Sequence, residues 1–160
     1  FDLSQATLSV RKPLDAWAQM GVTKANGQPL STPEGMQGSI VLPQGHAGPA
    51  FLVYENFRHI LSWNRSISYA IAVGHLADRI VGLPPIQHGR DADNRPLSFA
   101  QAEEMQSLLN DLGFDAGPVD GVPGSQTRAA IRDYQQANGL PADGFPSVSL
   151  LERLRREAAE

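Results

Sequence analysis

Met105, Leu108, Leu109 and Leu112 recur at i, i+3, i+4 and i+7, the period of one apolar helix face. Ser98-x-x-Gln101 stands just before them and reads as a capping box: the hydroxyl takes one orphan N–H and the amide reaches back. Gly113 supplies the left-handed residue that ends the helix. A second helix carries Ala130, Ile131 and Tyr134 and stops at Asn138-Gly139. A third carries Leu150, Leu151 and Leu154, with Arg153, Arg155 and Arg156 near its C-terminal end, where the helix dipole favours cations. Pro118-Val-Asp120-Gly121 precedes the second helix and Pro141-Ala-Asp143-Gly144 the third, so the pattern predicts a pseudo-symmetric three-helix bundle.

The first ninety residues are patterned differently. Leu14, Trp17 and Met20 predict a short helix starting near Pro13, and Asn26-Gly27 marks a turn. Two apolar runs, Ser39–Leu42 and Ala50–Tyr54, flank the turn Pro43–Pro49 and predict a β-hairpin. A short helix over Asn56–Ser62 and a long one over Ser66–Val81 follow. The long helix is apolar around most of its circumference, which predicts burial in something larger. Ninety residues with this content make a poor independent core.

Charge sharpens the division. Residues 1–90 hold seven Lys/Arg and five Asp/Glu, a net of +2, and residues 91–160 hold six against twelve, a net of −6. The change falls within Gly82–Leu97, a Pro-, Gly- and Asp-rich stretch without helical or strand period, which reads as a linker. The 160 residues are 41% apolar and 19% charged, an ordinary globular balance. The absence of cysteine removes a disulfide framework, a thiolate nucleophile and cysteine-ligated metal. The net charge of −4 argues against general nucleic-acid binding. No apolar run reaches the length of a membrane span. The chain opens at Phe1 without a leader pattern, which reads as a fragment or a processed chain.

Leu108–Gly144, LLNDLGFDAGPVDGVPGSQTRAAIRDYQQANGLPADG, resembles the three-helix, type 1 peptidoglycan-binding domain. The resemblance covers about residues 98–156. Leu42–Ile80 is similar to the C-terminal end of the catalytic domain of the family B lytic murein transglycosylases. The shared features are the Gly-Pro-Ala-Phe-Leu-Val strand, Asn56-Phe57, Trp63-Asn64-Arg65-Ser66 and Tyr69-Ala70-x-Ala72-Val73. The implied fold is mainly α: the end of a lysozyme-like α+β catalytic domain over 1–82, a linker over 83–97 and a peptidoglycan-binding bundle over 98–160. The resemblance implies cleavage of the β-1,4 bond between N-acetylmuramic acid and N-acetylglucosamine without water. One glutamate protonates the leaving oxygen, the substrate's N-acetyl group stabilises C1, and the same glutamate deprotonates the C6 hydroxyl to close a 1,6-anhydro ring. The family's glutamate motif lies upstream of the matching stretch, so the chain alone is expected to be inactive and to contain no catalytic residue.

Four residues are candidates for substrate contact. Asn64 matches the family's active-site Asn, whose amide can donate to the N-acetyl carbonyl or accept from its N–H; a cap between two helices is the structural alternative. Tyr69 matches a tyrosine facing the catalytic centre, and also reads as a core aromatic. Trp63 stands where relatives carry Tyr and can stack on a sugar face or simply pack. Asp120 can meet peptidoglycan polar groups, or, like Asp143, serve turn chemistry ahead of Gly. Ser66 reads as a helix N-cap, and Glu34, Glu55 and Asp78 as solvated charges rather than the acid. Arg128 and Arg132, one turn apart, read as a solvated helix face or as partners of an acidic stem peptide. His46, His59, His75 and His88 lack zinc-ligand spacing, and no cofactor is called for. The expected partners are peptidoglycan glycan strands and stem peptides, bound by a monomer in the periplasm, with any lipid anchor supplied upstream. Two other functions fit less well: a non-catalytic wall-binding module, and the binding part of an amidase or peptidase.

Overall fold

The computed structural model describes residues 1–86 and 96–159. Most of the expected linker, together with His88, therefore lies outside the described residues. The described chain forms two units, one of residues 1–43 and 49–86, the other of residues 44–48 and 96–159.

In the first unit the predicted hairpin is the centre of a three-stranded antiparallel sheet, β1 (Lys12–Pro13), β2 (Gln37–Val41) and β3 (Phe51–Val53). Strand β2 pairs Ile40 with Leu52 and Val41 with Phe51, and pairs Gly38 with Lys12 of β1. Period two sends successive side chains of β2 to opposite faces, and both faces are covered. Ile40 joins Leu14, Trp17 and Ala6 in one core cluster, and Val41 joins Val53, Phe57 and Ala70 in another. Strand β1 escaped the sequence pattern because two residues, one of them proline, carry no readable period.

Helix α1 (Leu14–Gln19) begins at Pro13, where the fixed φ of proline suits a helix entry, and buries Leu14 and Trp17. Helix α2 (Glu55–Trp63) buries Phe57. Helix α3 (Ile67–Ile80) is capped by the Ser66 hydroxyl, which accepts the Tyr69 N–H at 3.2 Å. Of its apolar residues only Ala70 is buried. Tyr69, Val73, Leu76 and Ile80, spaced at i, i+4, i+7 and i+11, form an exposed stripe among the described residues.

In the second unit three helices enclose one core: α4 (Phe99–Asp111), α5 (Ser125–Ala137) and α6 (Val148–Glu157). The capping box of α4 is complete, with Ser98 Oγ accepting from the Gln101 N–H and Gln101 Oε1 accepting from the Ser98 N–H. Met105 and Leu109 of α4, Ala130, Ile131 and Tyr134 of α5 and Leu150, Leu151 and Leu154 of α6 meet in that core, with Leu108 and Leu112 packed at its edge. Gly113 and Gly139 end α4 and α5 with φ of 87° and 65°, conformations that residues with a Cβ rarely adopt.

Candidate functional site

The first candidate surface lies where α2 gives way to α3. Asn64 is the C-cap of α2 and has extended backbone, with its N–H donating to Ile60 O at 3.1 Å. Its Oδ1 accepts the Ser66 N–H at 3.0 Å, an Asx turn that starts the next helix. One oxygen therefore does the capping, while Nδ2 makes no hydrogen bond among the described residues and remains a donor. Trp63, the preceding residue, is 93% exposed, and Tyr69, one turn into α3, is 47% exposed. The fold thus brings Trp63, Asn64 and Tyr69 to a single helix–helix junction, all open to solvent.

No acid accompanies them. The five carboxylates of residues 1–86 (Asp2, Asp15, Glu34, Glu55 and Asp78) are all exposed. Glu55 is ion-paired with Arg11 at 2.6 Å. A cavity of about 260 Å³ lies between α2, α3 and β3, lined chiefly by apolar residues such as Phe57, Ile60 and Ile71, with Asn56, His75 and Asp78 also on its wall. No group of three or more His, Cys, Asp or Glu among the described residues is arranged to hold a metal ion.

In the second unit the two Asp-Gly turns are built alike, each braced by a buried glutamine. Gln106 of α4 donates from Nε2 to Asp120 Oδ1 at 3.0 Å, and its Oε1 accepts the Asp120 and Gly121 N–H groups at 3.0 and 2.9 Å. Gln135 of α5 donates to Asp143 Oδ1 at 2.8 Å, and its Oε1 accepts the Gly144 N–H at 2.9 Å. Each Asp also accepts the N–H two residues on, Val122 or Phe145. Gly121 and Gly144 share a φ of 68°.

The two aspartates differ in surroundings. Asp120 is exposed, and bonds from Gln106 and the Val122 N–H hold its carboxyl below the ordinary range. Asp143 is buried, with its second oxygen accepting the His46 backbone N–H at 2.8 Å and lying 2.7 Å from His46 Nδ1. Burial pushes the Asp143 carboxyl up, but the bonds from Phe145, His46 and Gln135 outweigh it and hold it below its ordinary value. A depressed carboxyl stabilises the fold above the unfolded-state pKa, and that contribution is lost as pH falls through the folded value. The urea midpoint of the second unit is accordingly expected to drop as pH is lowered below 3.8, the ordinary aspartate value, and to drop less in Asp143→Asn.

The sequence pattern singled out Asp120 and Asp143 but missed Gln106 and Gln135. Their signal is positional. Gln106 falls on the inward stripe of Ala102, Met105 and Leu109, and Gln135 lies four residues after Ile131 on the inward face of α5. A glutamine at an inward helix position needs buried partners, and a repeated turn supplies them.

Residues 1–78 match the family described as "Transglycosylase SLT domain", and residues 100–154 match the "Putative peptidoglycan binding domain". The structure superposes on SltB3 from Pseudomonas aeruginosa, solved in complex with NAG-anhNAM-pentapeptide, with a TM-score of 0.88 and 51% identity over 97% of this chain and 42% of that one. A second SltB3 structure, in complex with NAG-NAM-pentapeptide, gives the same TM-score and identity over 96% of this chain and 41% of that one. The N-acetylmuramoyl-L-alanine amidase CwlM of Mycobacterium tuberculosis is 36% identical over 93 residues, 51% of this chain and 23% of that protein. A protein of Nostoc punctiforme named "Putative OxPP cycle protein OpcA" is 43% identical over 60 residues, 38% of this chain and 13% of its own length. The chain thus spans less than half of each of these proteins. With its helices, small antiparallel sheet and close agreement with SltB3, the first part of this chain is similar to the SLT transglycosylase domain and the second to the peptidoglycan-binding domain.

Proposed function

We propose that the chain supplies part of the substrate cleft and the wall-binding module of a lytic transglycosylase that cleaves MurNAc–GlcNAc β-1,4 bonds to give 1,6-anhydromuropeptides. The observation that carries this reading is the agreement with SltB3 over 97% of the chain, since SltB3 is seen holding a NAG-anhNAM sugar. The α2–α3 junction fits the chemistry. The free Nδ2 of Asn64 donates to the substrate's N-acetyl carbonyl and turns its oxygen toward C1, while Oδ1 stays on Ser66. Trp63 offers an exposed indole face to a sugar ring, and the Tyr69 phenol projects from the same junction. Asp120 contributes a polar contact from the bundle.

No carboxylate of residues 1–86 is placed to serve as the general acid. Protonating a glycosidic oxygen at neutral pH takes a carboxyl whose pKa is raised by burial, and every carboxylate of residues 1–86 is exposed. The work is done in the periplasm by a monomer. Among the described residues no helix is long and apolar enough to cross a membrane.

Purified sacculi test the reading. The chain is expected to sediment with them and to release no 1,6-anhydromuropeptides. In a longer polypeptide that carries the acid, Asn64→Ala is expected to lower turnover about 100-fold with sacculus binding retained, the cost of a misoriented reacting group. Unchanged turnover would leave the residues as a spacer ahead of a binding module.

A further inference from the structure

The last turns of α6 carry positive charge that the fold leaves unanswered. Among the described residues of the second unit there are five arginines, and only Arg155 pairs with an acid, Glu104, through contacts of 2.7 and 2.6 Å. Arg153 donates to two neutral acceptors, the Tyr134 hydroxyl at 3.3 Å and Asn138 Oδ1 at 3.4 Å. Arg156 makes no hydrogen bond or ion pair among the described residues. Three residues apart, Arg153 and Arg156 share one face of α6. Both line a cavity of about 340 Å³ whose wall also includes Leu140, Phe145, Ser147 and Ser149. Both also line an adjoining space of about 400 Å³.

The carboxylates nearby are already engaged. Asp143, on the cavity wall, accepts from Phe145, Gln135 and His46. Glu157, beside the adjoining space, accepts the Tyr134 hydroxyl at 2.5 Å. Two more cations flank the Asp143-Gly144 turn: the Arg132 side chain lies against Gly144, and its buried Nε has no partner in the described residues. Burial, and then Arg132, hold the Arg128 guanidinium below its ordinary value, opposed by Asp143. At the equivalent Asp120-Gly121 turn the side chain against the glycine is the Phe99 ring instead of an arginine. The two pseudo-symmetric turns therefore share a scaffold and differ in charge.

We propose that the cavity bounded by Arg153, Arg156, Ser147 and Ser149 binds the free carboxylate of a peptidoglycan stem peptide, its small side chains resting on Leu140 and Phe145. This rests on the wall-binding reading above and specifies which part of the wall the bundle recognises. Arginine suits a carboxylate because its planar fork can donate two parallel bonds, and serine hydroxyls can add a third.

The full chain titrated calorimetrically with a disaccharide pentapeptide, carboxyls free or converted to amides, tests the assignment. Amidation is expected to weaken binding about tenfold, as are Arg153→Gln and Arg156→Gln, the loss of one charge-assisted contact. Arg155→Gln, which loses only the Glu104 pair, is expected to bind like the parent. Arg156→Gln removes no intramolecular bond, so its fold is expected to be intact by circular dichroism. Equal affinity for the amidated peptide, or parental affinity in Arg156→Gln, overturns the site. If the chain still sediments with sacculi in that case, the wall-binding reading stands and only the cavity assignment fails. A chain that does not sediment at all overturns both.

Discussion

Trp17→Ala is expected to destabilise the first unit by about 4 kcal/mol, as for removal of a buried aromatic from a core. Trp17 is fully buried between α1 and the sheet. Its Nε1 donates to Gly38 O at 2.9 Å, the Phe1 ring stands edge-on at 5.7 Å, and the Lys12 ammonium lies 5.7 Å from the indole centroid. Alanine leaves a cavity and also strips the Gly38 carbonyl of a buried partner, a loss that adds to the packing term. Gly38 cannot compensate by gaining a side chain, because a Cβ there would stand 2.9 Å from Leu52 Cδ1 and 3.1 Å from Val53 O. Trp17→Phe keeps much of the packing and loses the hydrogen bond, so about half the effect is expected. Urea unfolding followed by near-ultraviolet circular dichroism reads both variants, and a change below about 1 kcal/mol in Trp17→Ala would contradict this account. The effect reaches the candidate site through β2. Ile40 packs on the Trp17 side, and Val41 packs with Phe57 of α2 and Ala70 of α3. Loosening the first cluster therefore frees the strand against which Phe57 and Ala70, the buried residues of the two helices that meet at Asn64, are packed.

The elements that the sequence reveals are those whose information is local. The capping box of α4, the glycine stops after α4 and α5, and the Ser66 cap of α3 each fit within four or five residues. The β2–β3 pairing is legible because its two apolar runs flank a Gly- and Pro-rich turn. What stays hidden is non-local. Lys12 and Gly38 pair across 25 intervening positions, and nothing in either neighbourhood announces the other. Arg128 and Arg132 read as a solvated face from their spacing, yet both are half-buried, because the Asp143-Gly144 turn folds back onto α5. Asn64 is instructive in a different way. Capping and substrate contact are compatible in sequence, and the structure shows the capping half: Oδ1 is taken by the Ser66 N–H, while Nδ2 makes no hydrogen bond among the described residues.

Replacing Gln135 by leucine is expected to cost the second unit about 3 kcal/mol, although the volume is nearly conserved and the position is buried. The substitution removes the donor to Asp143 Oδ1 and the acceptor of the Gly144 N–H, both inside the fold. A buried polar group left without its partner costs about 1–3 kcal/mol, and more where it is charged, as Asp143 is. Gln106→Leu deprives the Asp120 and Gly121 N–H groups of their acceptor and Asp120 Oδ1 of a donor, but Asp120 is exposed and water can replace the bond to its carboxylate. A smaller loss, about 2 kcal/mol, is expected there. The ordering is the informative part. If the two turns were mere copies, the two glutamines would cost the same; if Asp143 carries a buried charge balanced by Gln135 and His46, the second must cost more. Lowering the pH separates these further. Once Asp143 is protonated its oxygen no longer bears the charge that Gln135 compensates, so the difference between the two leucine variants is expected to shrink below pH 3.8. Urea midpoints of the two variants at neutral and acidic pH measure that difference directly. A gap unchanged with pH would assign the cost of Gln135→Leu to the Gly144 N–H alone.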